Sequence, residues 1–243
     1  YGIGKRRTLK FSGTAMLSSI LRTVIFKYSE VFFLAAVGGT TIAGMYDLGY
    51  SLPFIIVTFI PMALLPLFTA AFAEAYVKDE NCLGRLIAAY DKLVVMVSLP
   101  IAVLGAFFAP VTYHIIYKGE MDEAGAIASA FCIVLTLPLI SMPLSMALKA
   151  KEKVHNMLPM MLLQIAVNLT LDWLLIVELR WGVWGGVCAV LGTFLITIAP
   201  RLLMVRSIIG GVYFPVGFVL RICAVLAVEG AVFHGLVKSI RLF

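Results

Sequence analysis

Apolar residues fill this chain in long blocks separated by short polar stretches. Each block is about as long as a bilayer is thick, since roughly 20 helical residues cross the hydrocarbon core. Such blocks fall at 14–37, 42–73, 93–117, 125–148, 157–178, 183–205 and 216–237. They predict an all-α, polytopic membrane helix bundle of about seven transmembrane helices. The second block, about 32 residues, is roughly 48 Å long if helical and straight. Pro53, Pro61 and Pro66 lie within it, so it is expected to be tilted and bent. Prolines also interrupt the third block (Pro100, Pro110), the fourth (Pro138, Pro143) and the sixth (Pro200). Between blocks, 74–92 reads as an amphipathic linker of mixed charge and 149–156 as a short basic turn.

Against that background the polar positions inside the blocks carry the information. Arg22, Lys27 and Glu30 share the first block. Charges at membrane depth are costly unless they face a wet cavity or a partner, and they mark transport or ligand pathways. On a helical wheel with Arg22 at zero, Ser18 falls near about −40°, Ser29 near about −20°, Glu30 near about 80° and Lys27 near about 140°. One side of the segment is therefore wet or paired. In the fifth block Gln164, Asn168 and Asp172 recur every fourth residue, forming one polar stripe about 12 Å long. Two readings stay open for Gln164 and Asn168: hydrogen-bonding glue between helices, or the lining of a cavity. Asp172 needs a cation or a wet surface, and Arg22 and Lys27 are candidate partners. Glu229 sits midway along the last block, two turns beyond Arg221. Asp47, His114 and His234 lie near block ends, where solvation or interfacial anchoring accounts for them.

Composition narrows the class. Hydrophobic residues make up 62% of 243 and charged residues 13%, and the mean hydropathy is +1.05. The net charge of +6 is laid out as topology rather than as a nucleic-acid surface. A cytoplasmic N-terminus places Lys5, Arg6, Arg7, Lys10, Lys78, Arg85, Lys92, Lys149, Lys151, Lys153, Arg201 and Arg206 on the inner side, as the positive-inside rule requires. That predicts a multi-pass membrane protein whose N-terminus here is cytoplasmic, with anionic membrane lipids as partners. Four scattered cysteines without a CxxC spacing read as apolar filler. No phosphate-binding loop, dinucleotide fingerprint or HExxH is present, so no cofactor and no metal are expected, and nothing suggests an enzyme. The chain opens at Tyr1 with no leader and ends shortly after a block, which reads as a piece of a longer protein.

The order of features resembles the C-terminal half of a polysaccharide or lipid-linked oligosaccharide flippase of the multidrug/oligosaccharidyl-lipid/polysaccharide (MOP) superfamily. Five stretches carry the resemblance: the span entered from a basic linker, GKRRTLKFSGTAMLSSILRTVIFKYSEVFFLAAVGG; IAGMYDLGYSL running into PLFTAAFAEAY; LVVMVSLPIAVLGAFFAPVTYHIIY before an acidic turn; ALKAKEKVHNMLP; and VNLTLDWLLIVELRWGVWGGVCAVLGT. It implies a basic linker at 1–13, a six-helix lobe at 14–206 and an additional transmembrane helix at 207–243, the first lobe being absent. It implies alternating access without covalent chemistry, acting on a glycan carried by a lipid pyrophosphate. On this resemblance Arg22 and Lys27 would hold the pyrophosphate, and Gln164 and Asn168 the sugars. Glu30, Asp172 and Glu229 would pair those charges or bind a coupling ion. The missing lobe, from the same or a second chain, is an implied partner. The alternative within the fold is a cation-coupled multidrug and toxin extrusion antiporter, in which carboxylates dominate.

Overall fold

A computed structural model describes residues 28–78, 82–140, 142–151 and 157–209, with isolated helical positions at 12–13, 16–17 and 20. Every element among the described residues is helical: α1 (Tyr28–Gly38), α2 (Thr40–Lys78), α3 (Cys82–Tyr117), α4 (Asp122–Val134), α5 (Thr136–Ile140), α6 (Met142–Ala150), α7 (Met157–Asp172) and α8 (Gly182–Ile209). A π-helical stretch, Trp173–Glu178, continues α7. The expected all-α membrane bundle is thus what the chain forms, and five of its helical segments are long and apolar enough to cross a bilayer. The seventh expected span, 216–237, lies outside the described residues.

The helices outgrow the apolar blocks. At 39 and 36 residues, α2 and α3 are about 58 and 54 Å long, well beyond the roughly 30 Å hydrocarbon core. The 74–92 stretch is therefore no linker: α2 runs to Lys78 and α3 starts at Cys82. Ile87 and Tyr90 of this stretch, with Val94 just beyond it, are buried at helical spacing and tie it into the bundle. Neither α3 nor α8 is interrupted by its prolines, since Pro100, Pro110 and Pro200 all sit inside continuous helix. The fourth block does break, into α4, α5 and α6. Pro138 and Pro143 remove two amide donors there, and the Thr136 hydroxyl bonds the Ile133 carbonyl at 2.7 Å where α4 ends.

The most enclosed of the five long segments starts at α4. It packs against α3 and α2, while α7 pairs with α8, and α8 also meets α4 and α2. Side-chain hydroxyls pin neighbouring backbones, Tyr113 on Leu48 at 2.8 Å and Ser129 on Ala106 at 2.7 Å. Contact between α2 and α4 depends on Gly49. A Cβ there would lie 2.7 Å from Ile127 Cγ2 and 3.0 Å from the Ala124 carbonyl oxygen, so the helices would have to separate. Gly49→Ala is expected to destabilise the fold by about 1–3 kcal/mol, read as a lower unfolding midpoint in detergent.

Candidate functional site

The stripe on α7 faces inward along its whole length. Gln164 is 4% exposed, and Asn168 and Asp172 are fully enclosed. Opposite them α8 presents its own four-residue repeat of hydroxyls, Thr193 and Thr197, both buried. Gln164 Nε2 donates to Thr197 Oγ1 at 3.2 Å, and Thr193 Oγ1 donates to Asn168 Oδ1 at 3.2 Å. The two helices run antiparallel, so one further step of this register sets Asp172 against the small, buried Ala189.

Two carboxylates meet at the far end of the stripe. Asn168 Nδ2 lies 2.8 Å from Asp172 Oδ2, 3.0 Å from Glu30 Oε1 and 3.1 Å from Ser29 Oγ. An amide nitrogen carries two hydrogens, yet three oxygens converge on it. The Ser29 hydroxyl also bonds within the pair of carboxylates. Glu30 is 1% exposed, and Asp172 Oδ1 has no hydrogen-bond partner among the described residues. No described basic side chain bonds to either acid. Two carboxylates this close in a low-dielectric interior repel each other. The site therefore suits a shared proton or a small cation, held by anionic and neutral oxygens.

The structure thus brings together four of the residues read from sequence: Glu30 and Asp172 as a pair, Asn168 between them, and Gln164 two turns away. Asn168 borders no open cavity in this conformation. Gln164 lines a small recess with Leu137, Phe194, Thr197 and Arg201. Arg22, Lys27 and Glu229 lie outside the described residues. Thr193 and Thr197 were not singled out from sequence, although hydroxyls four apart in GTFLITIAP signal a second polar stripe. Asp91 was also missed. It is buried on α3 with Oδ1 unpartnered among the described residues, and the linker reading of 74–92 hid it. His114 bonds Asp122 across the α3–α4 turn at 3.0 Å, both exposed, in keeping with an interfacial role.

Residues 4–126, from the N-terminal stretch through α3 and into the first turns of α4, match the family described as polysaccharide biosynthesis protein. The match includes Ser29 and Glu30 and stops short of Asn168 and Asp172. No curated protein and no solved structure gives a match. With half of its length matched and its helices forming a multi-pass membrane bundle, the chain belongs to the polysaccharide biosynthesis protein family.

Proposed function

We propose that this chain is the second lobe of a two-lobe flippase of the MOP type. It moves a lipid-linked oligosaccharide or polysaccharide precursor outward across the cytoplasmic membrane by alternating access, with no covalent step. The observation that carries the reading is a closed carboxylate–amide cluster inside the helix core of a polysaccharide biosynthesis family member. Such a cluster is expensive in a membrane and marks an ion or substrate pathway. In this reading Glu30, Asn168 and Asp172 bind the coupling ion, a proton or a monovalent cation. Arg22 and Lys27 face the inter-lobe cavity and take the lipid pyrophosphate, where charge-assisted hydrogen bonds are strongest. Gln164, at the recess beside Arg201, contacts sugar, and Glu229 pairs a cation in the additional helix.

The buried carboxylates also suit a drug antiporter, and the family match favours the flippase. Cells lacking the full-length protein separate the two. Loss of surface glycan with the lipid-linked precursor trapped inside is expected. Normal glycan with raised retention of a cationic dye would give the case to the antiporter.

A further inference from the structure

Three of the five buried polar side-chain atoms left without a partner among the described residues belong to one stretch of α3: Tyr90 Oη, Asp91 Oδ1 and Ser98 Oγ. All three residues are at most 2% exposed. Asp91 lies nine residues in from Cys82, where α3 starts, about 14 Å along the helix. Asp91 and Ser98 share a face of α3, being seven residues apart. Gly105, seven further on, turns that face to α4: a Cβ there would lie 2.8 Å from Cys132 Sγ. Below α4 the helix packs on α5 and α6. Tyr90 meets α2 instead, its ring edge-on to Phe68 with centroids 4.3 Å apart.

Among the described residues no counter-charge reaches this carboxyl. On α2 the stretch around Phe68, 61–72, has no titratable residue, Glu74 is exposed and Asp47 lies toward the opposite end. None occurs in α5, and Lys149 of α6 is exposed. Lys151, just past α6, stands 6.0 Å from the Tyr76 ring, which is about 12 Å beyond Phe68 along α2. Asp122 and Glu123 are exposed in the first turn of α4. On α3 itself Arg85 and Lys92 are exposed. An ionised carboxylate so enclosed and unpaired is too costly to keep, and such a group neutralises instead. A metal ion would need several oxygens around one point, whereas Ser98 is about 10 Å from Asp91 along the helix.

We propose that Asp91 is a proton-binding site separate from the α1–α7 cluster, held as the neutral acid while α3 is closed against α2 and the divided helix α4–α6. Opening this face to water ionises Asp91, and the proton must return before the face recloses. Closure of these helices is then proton-dependent, whether or not the cluster binds an ion.

The test is infrared spectroscopy of the purified full-length protein in detergent at neutral pH, wild type minus Asp91→Asn. The difference is expected to show the carbonyl stretch of a protonated carboxylic acid, and to keep it in an Asp172→Asn background. Carboxylate bands alone overturn the proposal. A protonated-acid band that vanishes in the Asp172→Asn background also overturns it, because the proton then belongs to the cluster. Unfolding midpoints give a second readout. Aspartic acid in the unfolded chain ionises freely, whereas the folded protein keeps the proton, so the folded state binds more protons and loses stability as the pH rises. From about pH 6 to about pH 9 the wild-type midpoint falls, and the fall is smaller in Asp91→Asn and in Asp91→Leu. The leucine variant serves both readouts if the asparagine variant does not fold. A fall as steep as that of wild type in either variant overturns the proposal.

Discussion

Replacing Asn168 with leucine in the full-length protein is expected to lower its unfolding free energy by about 3–5 kcal/mol. Three donor contacts to Ser29, Glu30 and Asp172 and one acceptor contact to Thr193 pass through this single amide. Interhelical hydrogen bonds in membranes average only about 0.6 kcal/mol each, so counting bonds alone gives about 2 kcal/mol. The larger figure comes from what is left behind: two enclosed carboxylates facing each other with their common donor gone. Leucine nearly matches asparagine in volume, which keeps cavity effects small. Replacing Glu30, Asn168 and Asp172 together by leucine is expected to recover much of the loss, because few buried polar groups then remain unsatisfied. Thr193 keeps a bond to the Ala189 carbonyl, at 2.8 Å. The reading fails if the single variant unfolds within about 0.5 kcal/mol of wild type, the range of a neutral surface change.

Periodicity made the fold class and much of the site legible. The four-residue spacing of Gln164, Asn168 and Asp172 fixes a shared face before any partner is known, and that face proved to be the buried one. Which helix it meets is another matter. Asn168 and Glu30 are 138 residues apart, and no local pattern ties them together. For Asp172, sequence pointed to the basic residues of the first block. Among the described residues its partner is the amide one turn back on its own helix, and Arg22 and Lys27 lie outside them. Helix ends were misplaced for a physical reason. Hydropathy marks where lipid stops, whereas α3 is already helical before its apolar block begins, because Ile87 and Tyr90 pack within the bundle. Prolines misled in the other direction, because a helix surrounded by other helices tolerates a missing amide donor. The chain divides around Pro138 and Pro143, whereas Pro61 and Pro66, at the same spacing, sit inside an unbroken α2.

Neutralising Arg22 and Lys27 together, as Arg22→Gln and Lys27→Gln, is expected to cut export of the lipid-linked glycan about 100-fold or more while leaving the amount of folded protein unchanged. Each cationic contact to a phosphate contributes about 1.5–3 kcal/mol, and each 1.4 kcal/mol is about tenfold in binding. Both residues precede the described part of α1, so the expectation rests on their place in the sequence. Lys27 is three residues, and Arg22 eight, before Glu30. These spacings put Glu30 about 60° from Lys27 and about 80° from Arg22 around a helix, so the two cations need not point at the carboxylate cluster. That separation is what the assay reads. If Arg22 and Lys27 hold the substrate, their loss removes glycan export while sodium- or proton-dependent stabilisation survives. If instead they neutralise Glu30 and Asp172, the double variant lowers the unfolding midpoint and changes the ion response together. In that case Arg22 and Lys27 belong to the ion cluster, and the pyrophosphate must be held by other residues.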